Sequence, residues 1–285
     1  MKFKRYLLIS SLAILSCTAY IDPPRPSIRM NERSVDIALR YPLQILSEVS
    51  SLAADRSGNA CYTQAAGWVL ASAGWDGTEL FRTDLSRPRD VLITGGADCY
   101  WLLNNLDRKI KCFDRKGQQL SEAGFSGISA STGAATITGD IYLLDGINAQ
   151  VKVVDRSGYE LRSFRIEMSG GGVFRPGSIT IDVSRNIMAL ADSRSGIIMF
   201  YNLYGARHSS IHIPVGNHPQ AVGFDYLGRL WICQPEQGMV GVYVYERDQW
   251  VKQMGVPFQK PYAVALSPFG SGVVAEDGNL AFVKF

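Results

Sequence analysis

Short apolar runs of alternating pattern, each bounded by glycine, asparagine or aspartate, follow one another from about residue 34 to the end of the chain. The stretch after Pro219 shows the unit. Residues 221–224 alternate and stop at Asp225, and Gly228 follows three residues later. Residues 230–233 form a second apolar run, 234–238 are polar, 240–245 form a third run and 249–254 a fourth. Four short strands separated by turn signals predict one antiparallel sheet. The unit recurs. Its landmarks fall at Asp55, Thr94, Thr136, Asp182, Asp225 and Ser267, at intervals of 39 to 46 residues, and Pro88, Pro176, Pro219 and Pro261 each stand six residues before one of them. A repeat of this period builds one supersecondary element per copy. Six copies predict an all-β, six-bladed β-propeller of four-stranded antiparallel blades over residues 34–285. The last copy ends with its third strand, 279–285, so the segment 35–39 is expected to supply the fourth and close the ring by pairing the two chain ends.

Asp-x-x-Gly tetrads mark the turns between strands one and two (Asp55/Gly58, Asp225/Gly228) and between strands three and four (Asp114/Gly117, Asp155/Gly158). Aspartate accepts hydrogen bonds from a turn backbone, and glycine takes the positive φ that the reversal needs. These carboxylates are therefore expected to hold turns rather than metal. Tyr62, Trp101, Tyr142, Trp231 and Tyr243 recur at strand positions that face neighbouring sheets, where packing requires bulk.

The repeated phrase resembles the NHL repeat family: a proline, an alternating strand to Asp, a turn, an aromatic-bearing strand and a terminal Asp. The third copy shows it best, with Asp140, Tyr142, Asp145, Asn148 and Asp155. Asn59, Asn104, Asp107, Asn186 and Asp192 keep pieces of it elsewhere. The match is imperfect. An extra residue precedes Asn104 and Asp192, Gln234 replaces the second Asp, and Ala130 replaces the proline. In propellers of this type the segment entering each innermost strand lies near the axis. The residues before the four prolines are Arg87, Arg175, His218 and Lys260. The resemblance thus implies a cationic ring around one mouth of the channel, suited to an anionic ligand. A residue before proline is also held extended, which by itself projects a long side chain into solvent.

The N-terminus reads as an address. Lys2, Lys4 and Arg5 precede an apolar run, residues 6–15, that is too short to span a bilayer and has the length of a signal-peptide core. The run ends Ile14, Leu15, Ser16, Cys17, which resembles a bacterial lipobox with Cys17 as the lipidated residue. Ordinary cleavage after Ala19 is the alternative. Residues 1–16 are read as signal peptide, and 17–33, with Pro23, Pro24 and Pro26, as a lipid-anchored linker. Thr18 stands where an aspartate would favour inner-membrane retention. The expectation is an exported protein on the outer membrane facing the periplasm, or at the cell surface, held to the membrane through the lipid alone.

Composition changes the picture little. The chain is 46% hydrophobic and 19% charged, as a folded domain should be. Without the three basic residues of the signal, the 29 basic side chains fall to 26, matching 26 acidic ones. No basic field for nucleic acid results. Cys61, Cys99, Cys112 and Cys233 read as small buried side chains; export would permit a bond between Cys99 and Cys112, which flank one turn. His208, His212 and His218 fall around one inter-blade connection and not on separate blades. No GxSxG, HExxH, Walker or GxGxxG pattern is present. The expected role is a non-catalytic scaffold, a monomeric propeller within a complex, that binds a protein or an anionic envelope polymer without a cofactor. The alternative is a hydrolase resembling the calcium-dependent lactonases, with the metal held in the channel by oxygen ligands such as Asn104, Asp145 and Asp192.

Overall fold

The computed structural model describes residues 35–43, 49–64, 69–85, 91–95, 99–167, 175–213 and 218–285. Residues 1–34, with the expected signal, Cys17 and linker, lie outside the described residues, as does Arg87. Among the described residues, 24 strands form six four-stranded antiparallel sheets. The first strand, β1 (Asp36–Pro42), belongs to the last blade. Blade 1 is β2 (Val49–Ala54), β3 (Ala60–Gln64), β4 (Val69–Ala73) and β5 (Glu79–Asp84). Blade 2 is β6 (Val91–Gly95), β7 (Tyr100–Asn104), β8 (Lys109–Phe113) and β9 (Gln119–Gly124). Blade 3 is β10 (Thr132–Ala135), β11 (Ile141–Asp145), β12 (Gln150–Val154) and β13 (Glu160–Arg165). Blade 4 is β14 (Pro176–Asp182), β15 (Ile187–Asp192), β16 (Ile197–Tyr201) and β17 (Arg207–His212). Blade 5 is β18 (Val222–Phe224), β19 (Leu230–Gln234), β20 (Met239–Glu246) and β21 (Gln249–Pro257). Blade 6 is β22 (Ala263–Leu266), β23 (Ser271–Glu276), β24 (Asn279–Lys284) and β1.

The closure is as the repeat count requires. β1 runs antiparallel to β24, from Asp36 opposite Lys284 to Pro42 opposite Asn279, with a bulge between Ile37 and Leu39. Arg40 donates from Nε to Glu276 Oε1 at 2.6 Å, tying the closing strand to β23.

The core is divided among the seams. Six hydrophobic clusters each join two adjacent blades, so every blade buries both faces only because it has two neighbours. The recurring aromatics lie there: Tyr62 at the seam of blades 6 and 1, Trp101 at 2 and 3, Tyr142 at 3 and 4, Tyr243 at 4 and 5, and Trp231 at 5 and 6. Across the seam of blades 4 and 5, Trp250 of β21 stacks on Phe200 with centroids 4.8 Å apart.

The tetrads behave as turn chemistry dictates. Asp55 Oδ1 accepts from the N–H groups of Ser57 and Asn59 at 2.8 and 3.0 Å, and Asp155 Oδ1 from those of Ser157 and Tyr159. Gly58 sits at φ 82°, and a Cβ there would lie 2.3 Å from Ser271 Oγ on the next blade. The turn thus needs glycine both for its backbone and for blade-to-blade approach.

Among the described residues, Cys61, Cys99, Cys112 and Cys233 form no disulfide. Burial pushes Cys61 and Cys233 well above the ordinary thiol range, whereas the Cys112 thiol is raised first by its hydrogen bond with Cys99 and then by burial. Cys99 is only half-buried, a departure from the expectation that all four are core side chains. Thiol labelling of the folded protein is expected to modify Cys99 first and to reach Cys61 and Cys233 only at the rate of unfolding. Rapid native-state labelling of Cys233 would contradict this packing.

Candidate functional site

Antiparallel blades place the turns between strands one and two, and three and four, on one face of the disc. The turns between strands two and three, and the blade-to-blade connections, lie on the other. We call these the turn face and the loop face. Between them runs a central cavity of about 590 Å³, lined by all six innermost strands. Those strands present hydroxyls, from Ser50, Ser51, Thr94, Thr132, Ser178 and Thr180, together with glycine, alanine and larger aliphatic residues. No described residue of the lining carries a carboxylate, imidazole, thiol, ammonium or guanidinium group. Several hydroxyls also join blades: Thr94 Oγ1 accepts from the Ala135 N–H at 3.0 Å, and Thr180 Oγ1 from the Phe224 N–H at 3.1 Å. On the loop-face side the lining continues through Gly177, Ser193, Gln220 and Tyr262, and the Tyr262 hydroxyl accepts from the Val49 N–H at 3.0 Å.

A second circle of polar residues surrounds this mouth: Gln64, Asn104, Asp145, Asp192, Gln234 and Glu276, each the last residue of the second strand of its blade and each buried. Asn104, Asp145, Asp192 and Glu276 organise the loops, whereas Gln234 Oε1 is buried with no hydrogen-bond partner among the described residues. Asp145 Oδ1 accepts from the Ile147 and Asn148 N–H groups, while Oδ2 accepts from Asn148 Nδ2 at 2.9 Å and the Ser129 N–H at 3.2 Å. Burial pushes the Asp145 carboxyl up, but the donors from Asn148, Ser129 and Ile147 outweigh it and hold it below its ordinary value. Asp192 Oδ1 accepts from the Arg194 N–H at 3.0 Å and more distantly from the Arg175 N–H at 3.4 Å, and its Oδ2 accepts from Ser195 Oγ at 2.7 Å. Glu276 Oε2 accepts from the Gln259 N–H at 2.7 Å. In three blades the circle therefore fastens the incoming connection to the blade it enters. Gln64 and Glu276 escape a reading that looks for aspartate. Their distance of nine residues from Asp55 and Ser267, the same as that of Asp145 from Thr136, is the signal that finds them.

Asn104, Asp145 and Asp192, the oxygen ligands named for the calcium alternative, are committed to these loops: Asn104 Oδ1 accepts from the Asp107 N–H, and its Nδ2 donates to Asp107 Oδ2. None of the three lines the cavity. Among the described residues, no group of three or more histidine, cysteine, aspartate or glutamate side chains is placed to hold a metal ion. These residues do not fit the lactonase-type site.

Arg175, His218 and Lys260 all lie on the loop face, each two residues before a rim residue: Gly177, Gln220 and Tyr262. They stand around the rim and outside the cavity lining. Arg175 and Lys260 are exposed and His218 is half-buried. Lys260 has φ 49°, so the extended backbone expected before a proline is not adopted there. His218 Nδ1 is buried without a hydrogen-bond partner among the described residues. His208 and His212 sit on β17, the outermost strand of blade 4, and are exposed there.

Solved structures with this geometry include lyases. The virginiamycin B lyase of Staphylococcus aureus, in its selenomethionine form, aligns with a TM-score of 0.59 at 16% identity over 86% of this chain and 82% of its own. A catalytically inactive histidine-to-alanine variant of the S. aureus enzyme with quinupristin aligns at 0.62 and 13% identity, over 88% and 99% of the two chains. A streptogramin B lyase aligns at 0.63 and 12%, over 88% and 97%. What the chain shares with them is its fold. No protein-family model matches the chain, and no curated protein matches it in sequence.

Proposed function

We propose that this chain is an exported, lipid-tethered propeller whose loop face binds an anionic envelope component or a protein partner without turning it over. The observation that carries this reading is the cavity lining. Among the described residues, the wall offers hydrogen bonds from serine and threonine hydroxyls of blades 1 to 4, Gln220, Tyr262 and backbone groups, between apolar side chains up to the size of Ile179 and Phe224, and carries no carboxylate, imidazole or ammonium group. Around the rim, Arg175 and Lys260, with Arg87 at the equivalent sequence position in blade 2, offer cationic contacts to an anion, while the carboxylates of Asp145, Asp192 and Glu276 behind them are occupied by loop N–H donors. The NHL-like repeat and the lipobox-like Cys17 support the same picture of a tethered repeat platform. Replacing Arg175 and Lys260 together by alanine should lower recovery of the partner from a cell-envelope pull-down by about tenfold or more while leaving the melting midpoint near that of the parent. Unchanged recovery would remove the loop-face mouth from the reading.

A second reading, ring opening or hydrolysis at the same mouth, is favoured by one observation. His218 Nδ1, without a hydrogen-bond partner among the described residues, stands two residues from the rim, and the catalytically inactive lyase variant has a histidine replaced by alanine. Incubation with quinupristin and with simple lactones, with and without chelator, separates the two. Turnover that disappears in His218→Ala would establish the enzyme and displace the scaffold.

A further inference from the structure

The turn face carries a feature that the loop-face site does not use. Trp75, Tyr159, Tyr204, Tyr226 and Phe269, with Ile137 and Val183, are all exposed, and every one of them sits in a turn of this face. They come from five of the six blades, so they form a circle and not one patch. Trp75 is 50% exposed, Phe269 65%, Tyr159 70% and Tyr204 72%, in turns where a polar residue would satisfy the backbone equally well. Three rings have a cation over them: Lys284 Nζ lies 4.3 Å from the Trp75 centroid, Arg162 Cζ 5.2 Å from that of Tyr204 and Arg56 Cζ 5.6 Å from that of Phe269. Between Trp75 and Phe269 a groove of about 280 Å³ opens, with Lys284 in its wall.

The direction of the chain adds an independent observation. Asp36 pairs with Lys284, the last residue of β24, and β24 runs from the loop face to the turn face. The polypeptide therefore enters the propeller at the turn face, beside Trp75 and Lys284, with the first 34 residues preceding that point. A tether attached through those residues would leave the propeller from this face, so that this face is free to meet the surface it anchors to.

We infer that the turn face docks on a phospholipid bilayer, with its aromatic circle at headgroup depth. This rests on the tethered reading above. Amphipathic rings with basic neighbours suit the interface, where the ring body is shielded and the cation reaches phosphate. Separate anchors on the turns of five blades suit an extended surface, whereas a protein partner of standard size needs a contiguous, well-packed patch. Exposed Arg56, Lys116, Arg156, Arg185, Arg247 and Lys284 on this face stand among Asp76, Asp114, Asp155, Glu246 and Asp248, so charges of both signs accompany the rings. The consequence for the loop-face mouth is orientation: it would open away from the membrane.

The test uses the full chain with phosphatidylethanolamine–phosphatidylglycerol vesicles that contain brominated acyl chains, which quench indole fluorescence at short range. Part of the tryptophan emission should be quenched, and Trp75→Phe should remove that part. Tyr204→Ser/Phe269→Ser should lower vesicle partition by about tenfold, while the loop-face control Leu106→Ser/Ile147→Ser should leave it unchanged, and raised salt should weaken it little. Vesicle binding with no Trp75 quenching would overturn the docking while leaving the tether standing. Quenching without lipid on Cys17 would support the docking and reject the tether. A self-association that the Tyr204/Phe269 variant abolishes, with no vesicle binding, would assign the face to a second copy and also overturn the docking.

Discussion

Removing residues 34–40 is expected to lower the melting midpoint by roughly 10–20 °C, which corresponds to a loss on the order of 5 kcal/mol for a domain of this size. The deletion takes away most of β1, and with it strand pairing, seam packing and an ion pair at once. Asp36, Ile37, Leu39 and Arg40 lose their partners on β24. Leu39 and Ile37 leave the seams on either side of blade 6. Glu276, fully buried, keeps its Gln259 donor but loses the guanidinium of Arg40. β24 becomes an exposed edge, ready to pair with another molecule, so the truncated chain should also associate as its concentration rises. An unchanged midpoint would mean that β1 contributes little and that the ring is held by the other contacts alone.

The second large effect is expected at Asp225. Its carboxylate accepts from the Leu227 and Arg229 N–H groups at 2.9 Å through Oδ1, and from Arg229 Nε at 2.6 Å and Trp231 Nε1 at 2.9 Å through Oδ2. Arg229 and Asp225 are both sealed from solvent, with side chains 1% and 0% exposed. Arg229 Nη2 has no hydrogen-bond partner, although the guanidinium also lies 5.2 Å from the Phe285 ring centroid. Asp225→Ala therefore leaves a buried cation with no counter-charge, at a cost of about 3–5 kcal/mol. Asp155→Ala, the same tetrad position in an exposed turn, should cost within about 1 kcal/mol. Asp225→Ala/Arg229→Met should recover much of the loss, since the uncompensated charge is then gone. Equal losses for Asp225→Ala and Asp155→Ala would show that only the shared turn hydrogen bonds matter. Thermal melts of the four proteins decide it, with Trp231 fluorescence as a local reporter.

The fold was legible because a blade cannot bury two faces by itself. That constraint brings bulk back at Tyr62, Trp101, Tyr142 and Trp231, and turn chemistry at Asp55, Asp114, Asp155 and Asp225, in blades 1, 2, 3 and 5. The missing fourth strand of the last copy announced the closure by the N-terminal segment for the same reason. The site was less legible, since its parts are not distinctive residue types. The innermost strand of blade 1 reads Val-Ser-Ser-Leu-Ala-Ala, which as sequence could be any small-residue strand and joins a line of hydroxyls only when the strands of blades 1 to 4 meet at the cavity. Gln64 and Glu276 were hidden because equivalent positions hold four different side-chain types, Gln, Asn, Asp and Glu. Lys260 adopts a left-handed backbone that its proline neighbour argues against. The aromatic circle was invisible for another reason. Tyr159, Tyr204 and Phe269 each look like isolated turn residues, and only the common end of the blades puts them on one surface.

Native-state hydrogen exchange across the junction of the two chain ends tests the closed ring most directly, because both faces and the shared mouth depend on it. The amides of β1 and β24 should exchange with the same protection as β3, β7 and β19 in the middle of other blades, and should collapse together with them. Exchange of β1 and β24 at the rate of a frayed terminus, while the remaining blades stay protected, would contradict a ring closed through its N-terminal strand.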